Sequence, residues 1–230
     1  MSTYQKNWDQ HYNSRKSTSY PAQGLIRIML GQYPSLPKIP KGGKSLDIGC
    51  GDGRNTVFLS NLGFDSWGVE ITKSITDSLK LKIPACNFAL GTNANLPFQD
   101  NCFDLVVGWN SIYYLEDSSN PEQLIKNLKE TYRVLNKGNL DSTMIISVPC
   151  PSSFIFRKSK LIQIEHGIEI RQIANDPFGL RNGEYLATFN SKESMTNVLN
   201  QVGYSQVLVG EEFGNWFGHT YDWWVAVCKI

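Results

Sequence analysis

Two carboxylates and a run of glycines stand where a chain could grip a nucleoside. Asp47 sits in the short apolar run Ser45–Ile48, and Gly49, Gly51 and Gly53 then alternate through a turn that leads into an amphipathic segment. Glycine lets a backbone turn sharply and leaves room for a ligand. Glu70, about twenty residues on, closes a second apolar run, Trp67-Gly68-Val69. An acid at that distance is the group with which adenosine and dinucleotide sites hold two ribose hydroxyls. Asp47, just before the turn, would repel a pyrophosphate but suits a cationic or amino-acid-bearing ligand. For moving a proton the candidates are His219, with Asp222 close enough in sequence to orient it, and His166. The plainer reading of each, and of His11, is a hydrogen-bonded or surface histidine.

Composition narrows the field. A chain of 230 residues with 41% hydrophobic and 19% charged residues has the makings of a globular protein with a sizeable core. A net charge of +1 argues against a large basic surface for nucleic acid, so none is expected as a partner. The cysteines Cys50, Cys86, Cys102, Cys150 and Cys228 are odd in number and form no Cys-x-x-Cys, so neither a disulfide framework nor a metal site is expected. The polar N-terminus has no signal-peptide core, and no apolar run reaches membrane-spanning length. The expectation is a cytoplasmic protein without a membrane partner. The sequence carries no signal for oligomeric state.

The elements that must position these groups follow from periodicity. Residues 1–40 read as an N-terminal lid or helical segment, with Trp8 and Tyr12 as aromatic candidates to cover a site and a short helix around Leu25–Leu30. Residues 41–230 read as one domain. Strands are expected at Ser45–Ile48, Ser66–Glu70, Asn87–Leu90, Phe103–Val107 and Thr143–Val148, alternating with helices. Asn120, Pro121 and Gln123 read as a capping box for one helix, and Asn190 with Glu193 as a second. Residues 150–189 read as a substrate-side insertion without clear pattern. Tyr204–Val209 and Trp223–Ile230 form a closing antiparallel pair. The fold expected is α/β: a doubly wound, mostly parallel seven-stranded sheet with helices on both faces.

In such a sheet ligands lie beyond the carboxyl ends of the strands. Asp47–Gly53, Glu70, Thr92–Asn93 and Trp109–Asn110 are the exits of strands one to four, and their coincidence at one edge is the strongest functional signal. The nicotinamide fingerprint needs a small residue where Arg54 stands, and no Walker sequence for a triphosphate is present.

Leu46-Asp47-Ile48-Gly49-Cys50-Gly51-Asp52-Gly53 resembles motif I of the class I S-adenosylmethionine-dependent methyltransferases. Gly91–Phe98, Phe103–Val107 and Arg133–Gly138 resemble later landmarks of that family's small-molecule branch. The likeness spans about residues 44–148. It implies that S-adenosylmethionine is the cofactor and S-adenosylhomocysteine its product, with Asp47, Gly49, Cys50 and Gly51 around the methionine and ribose. Glu70 would take the ribose hydroxyls and Ile71 would pack on adenine. Thr92 stands where many relatives have an aspartate for the adenine amino group, so Thr92 or Asn93 would supply a neutral contact. Asn110 would face the reactive end.

A sulfonium methyl is already activated, so a protein mainly aligns the acceptor, and an oxygen acceptor gains from a base. His219 and His166 are the candidates for that base. Tyr113 and Tyr114 would wall the acceptor pocket, with Trp8 and Tyr12 above; core packing is the alternative. Arg157, Lys158, Lys160, Arg171 and Arg181 are balanced by acids in the same insertion, which is the pattern of a solvated face. Cys150 reads as an ordinary strand-end cysteine. The resemblance implies methyl transfer to a small polar acceptor, at oxygen in preference to nitrogen, with a sugar of a surface polysaccharide as one class. The alternatives are a cofactor-binding module without catalysis and a nicotinamide-dependent oxidoreductase.

Overall fold

Leu105 and Val107 face one side of a sheet and Val106 the other, the period-two arrangement of a strand covered on both faces. The computed structural model describes residues 3–14, 20–115 and 120–230 and places this strand at the centre of a seven-stranded sheet. The chain opens with α1 (Thr3–Ser14) and α2 (Gln23–Leu30). It then alternates through β1 (Gly43–Ile48), α3 (Arg54–Asn61), β2 (Phe64–Glu70), α4 (Lys73–Lys82) and β3 (Asn87–Leu90). β4 (Leu105–Gly108), α5 (Glu122–Val134) and β5 (Thr143–Pro149) complete the parallel part. After β6 (Ser159–Glu165), β7 (Ile168–Ile173) and β8 (Tyr185–Phe189) come α6 (Lys192–Val202) and β9 (Gln206–Glu212). The short β10 (Asn215–Trp216) and β11 (His219–Thr220) precede the closing β12 (Trp223–Lys229).

The strand order is β3-β2-β1-β4-β5-β12-β9. The first five strands are mutually parallel, and β12 runs antiparallel to both β5 and β9. Chain direction across the sheet reverses between β1 and β4, which opens a crevice at their carboxyl ends. On one face, Leu124 and Leu128 of α5 and Val198 and Leu199 of α6 pack on Leu46, Val106 and Ile146. On the other, Leu25 of α2 and Leu59 of α3 pack on Leu105, Val107 and Ile145. No helix among the described residues is long and apolar enough to cross a membrane.

Three local expectations need correction. Residues 150–189 are not patternless, because β6, β7 and β8 form an antiparallel sheet of their own. Its first hairpin turns at His166 and Gly167, both left-handed (φ 52° and 76°), so a tight two-residue turn separates two short alternating runs. The helix expected to be capped by Asn120 begins at Glu122, whose N–H takes the Asn120 Oδ1 at 2.9 Å. Gln123 reaches Asn127 at 3.1 Å instead of closing a capping box. In α6 the cap is Ser191, which accepts from the Ser194 N–H at 3.1 Å, while Asn190 takes the Ser194 hydroxyl at 2.5 Å.

Candidate functional site

Gly49, Gly51 and Gly53 all adopt left-handed φ (65°, 57° and 79°) between β1 and α3. At Gly49 close approach adds to the conformational demand. A Cβ there would lie 2.5 Å from the Ser111 Cβ, and Ser111 is fixed because its hydroxyl donates to the Ile48 carbonyl at 2.5 Å. Gly49→Ala is therefore expected to cost about 2 kcal/mol or more from backbone and overpacking together. Thermal unfolding checks this, and an unchanged midpoint would show that the strand-four exit yields freely.

The turn is tied to the end of β2 by Glu70. That side chain is buried; its Oε2 accepts the Gly51 N–H at 2.9 Å and its Oε1 the Ile71 N–H at 2.8 Å. Burial raises its pKa above the ordinary carboxyl value, and the two N–H bonds act against that rise. Asp47 points elsewhere. Its carboxyl lies beneath the turn, accepts the Thr56 hydroxyl at 2.7 Å, and is pushed up to about 7 by burial.

Gly49, Glu70, Ile71, Asn93, Asn110 and Ser111 line a cavity of about 50 Å³ whose remaining walls are Trp8, Tyr12 and Tyr114. The Asn93 side chain is held by the Ser111 carbonyl at 2.8 Å. α1 packs over this cavity: Tyr12 sets its hydroxyl against Gly51, and Asp9 accepts from Ser74 of α4. Trp8 meets the Tyr114 ring edge-on at 5.6 Å and lies 5.9 Å from the Arg181 guanidinium. Arg181 also donates to the Tyr114 hydroxyl at 2.8 Å and pairs with Asp176 at 3.2 Å. Small-ligand pockets are about 300 Å³ or larger, so a nucleoside fits beside Glu70 only when Trp8 and Tyr12 give way. Trp8 Nε1 is buried without an acceptor among the described residues, which leaves a donor for a polar ligand.

A second cavity, of about 510 Å³, begins at the other side of Asn110. Its walls include Arg54, Trp109, Glu212, Trp216, Tyr221 and Trp223. Asn110 separates and joins the two spaces. Its backbone is left-handed (φ 58°), a conformation asparagine tolerates. Its N–H donates to the Ser147 hydroxyl at 2.8 Å, and that hydroxyl donates to its Oδ1 at 2.9 Å. Glu212 is half-buried, its side chain makes no hydrogen bond among the described residues, and burial raises its pKa.

Of the residues singled out in the sequence, Gly49, Glu70, Ile71, Asn93, Asn110, Trp8, Tyr12 and Tyr114 line this one cavity. Gly51 joins them through its bond to Glu70. Others lie apart. Thr92 pairs with Asn95 and does not reach the cavity wall. The Cys50 side chain belongs to a core cluster with Ile75, Leu79 and Phe88. Tyr113 is fully buried and stacks on Tyr114 at 4.8 Å, so it is core and no pocket wall. His166 is exposed at the β6–β7 turn, 3.7 Å from Glu165. His219 packs edge-on against Phe154 at 5.5 Å and lines a separate cavity of about 290 Å³ with Arg157 and Lys158. Neither histidine lines the cavities that meet at Asn110. Sequence reasoning misses Arg54, Ser111, Arg181 and Glu212. Of these Arg54, read only as the residue that breaks a fingerprint, carries a signal: it opens the helix directly after the glycine turn.

Residues 46–140 match the family model described as a methyltransferase domain. The chain is 28% identical over 118 residues to an uncharacterized methyltransferase of Synechocystis sp., covering 51% of this chain and 53% of that protein. It is 31% identical over 134 residues to the probable S-adenosyl-L-methionine-dependent methyltransferase TehB of Haemophilus influenzae, covering 55% and 45%. The chain thus spans about half the length of these curated relatives. Among solved structures, a SAM-dependent methyltransferase of Methanosarcina mazei shares the fold with a TM-score of 0.63 at 18% identity, over 84% of this chain and 94% of that one.

Proposed function

We propose that the chain is a class I S-adenosylmethionine-dependent methyltransferase that transfers the methyl group to a small acceptor seated beside Asn110, at oxygen in preference to nitrogen. The observation that carries this reading is that Asn110 walls both the cavity containing Glu70 and the larger cavity beyond it. The residues suit the cofactor: Glu70 offers a carboxylate for a ribose diol, Ile71 an apolar edge for adenine, and Trp8 an unpartnered donor. Arg54 is the cation among the residues lining the larger cavity and would pair with a carboxylate there. When bound, S-adenosylmethionine supplies an electrophilic methyl carbon whose bond to sulfur breaks with its electron pair going to sulfur.

The protein's own task is then alignment and proton removal. Trp109, Trp223 and Tyr221 would hold the acceptor against Asn110. An acceptor hydroxyl loses its proton as its oxygen bonds to the methyl carbon. Glu212 is the carboxylate among the residues lining that cavity, and burial raises its basicity, with the Arg27 charge acting against that rise. These aromatic walls would stack on a sugar ring or an arene alike. An enzyme rather than an inert binding module is favoured because an acceptor-sized space adjoins the cofactor cavity. A nicotinamide reading is not favoured, since Arg54 stands where close helix packing needs a small residue.

Isothermal titration with S-adenosylhomocysteine and with NAD tests the cofactor, and release of S-adenosylhomocysteine over a panel of hydroxyl acceptors tests the transfer. Glu212→Gln is expected to lower kcat by about 10² or more with S-adenosylhomocysteine affinity unchanged. In the parent protein the rate should rise with pH as Glu212 ionises, and the variant should lose that limb. An unaltered pH profile in the variant would remove Glu212 from the reaction.

A further inference from the structure

The acceptor cavity does not end at Glu212. Gln23, Trp109, Glu212, Phe213 and Trp216 also line a further cavity of about 600 Å³ between α2 and the β9–β12 pair. Its apolar walls are Ile28 and Leu36 on one side and Leu208, Val225 and Val227 on the other. The register explains the lining. Val225 lies opposite Gly210 and Val227 opposite Leu208, so in antiparallel strands these residues share one face of the sheet. α2 is too short to cover that face out to β9. Gly210 in particular leaves a gap: a Cβ built there would meet nothing closer than the Val225 carbonyl at 3.9 Å.

At the junction Phe213 and Trp216 are each 65% exposed, an apolar pair standing in solvent at the mouth. Arg27, Tyr33, Ser35 and Glu211 add polar groups to the lining, and the Arg27 charge acts on Glu212. From Glu212 to Leu208 the strand runs about 13 Å. We infer that the acceptor is amphipathic, with a planar hydroxyl-bearing head against Asn110 and Glu212 and a hydrocarbon tail lying in the apolar cavity along β9. The inference rests on the methyltransferase reading above for the head and on the continuity of the two cavities for the tail. A chain seated there would remove Leu208, Val225 and the two exposed rings from water at once, and each buried methylene adds affinity.

The test compares catechol with 4-octylcatechol, read by quenching of tryptophan fluorescence with and without S-adenosylhomocysteine, since Trp109, Trp216 and Trp223 line the binding space. The octyl compound is expected to bind at least tenfold more tightly. Gly210→Leu fills the apolar cavity at a position where the fold leaves space. It should reduce the advantage to less than threefold while S-adenosylhomocysteine and catechol affinities stay as in the parent. Equal binding of the two compounds, absence of octylcatechol binding, or an advantage that survives Gly210→Leu would overturn the proposal. So would a dimer in solution that dissociates on Gly210→Leu, which would give the face to a second copy of the chain. Failure of S-adenosylhomocysteine to bind would sink the cofactor reading separately, because the octyl advantage is also read without it.

Discussion

Glu70→Ala is expected to weaken S-adenosylhomocysteine binding about a hundredfold. A carboxylate that accepts both hydroxyls of a ribose makes two charge-assisted hydrogen bonds, each contributing about 1.5 kcal/mol at the low end, or about 3 kcal/mol together. The same side chain holds the Gly51 and Ile71 N–H groups, so the substitution also releases the turn that shapes the cavity. Glu70→Gln keeps the volume and one acceptor oxygen but presents an amide donor to an N–H, and a loss of about tenfold is expected. Because burial raises the Glu70 pKa, affinity should begin to fall on acidification above the pH at which an exposed glutamate would protonate. Isothermal titration of the parent and both variants over a series of pH values measures all three effects. Titration curves for Glu70→Ala that overlie the parent's would remove Glu70 from the cofactor site.

Asp47→Asn is expected to stabilise the protein at pH 8 by as much as about 4 kcal/mol. Burial moves this carboxyl from an ordinary 3.8 to about 7, the one hydroxyl bond from Thr56 and the Arg54 charge offsetting only part of the penalty. With its pKa raised in the folded state, the group stabilises the fold fully below about pH 4. That contribution drains away as pH rises toward 7, because the unfolded chain releases its proton first. The distance between those two values, at about 1.4 kcal/mol for each pH unit, sets the upper bound. Asparagine keeps an oxygen for the Thr56 hydroxyl and never ionises, so the variant's stability should be flat over that window. For a chain of this length the gain at pH 8 corresponds to a rise of about 10 °C in the unfolding midpoint. Denaturation at pH 4 and pH 8 decides it; a variant no more stable than the parent at pH 8 would show that Asp47 is ionised in the fold at little cost. Its carboxyl lines neither cavity, so S-adenosylhomocysteine affinity is expected to remain within about twofold. A large loss would instead make Asp47 the direct cofactor contact that the motif implies.

The legible parts of this protein are those where neighbours along the chain set the physics. The glycine turn is readable because only glycine occupies alternate left-handed positions cheaply, and β1 and β2 because an apolar run of strand length admits few alternatives. Once strands alternate with helices, right-handed crossovers leave one way to stack them, so Glu70, Asn93 and Asn110 can be assigned to one edge. The β6–β8 sheet is not legible in the same way, because its first strand is mostly exposed, with a burial pattern that lacks a clean alternation.

Sequence by itself determined the sheet, its crevice and the carboxylate that closes the second strand, since each follows from local conformational preference plus a topological rule. Tertiary structure alone decided where the side chains of that region point. It turned Asp47 beneath the turn, buried Tyr113, and carried His219 into a different cavity. It also brought Glu212 at the end of β9 to face Arg54 at the start of α3 across one space, although they are far apart in the chain. Such meetings depend on how far α2 covers the sheet and on which residue of each strand faces inward at its end. Those are consequences of packing many elements together, and no single stretch of residues encodes them.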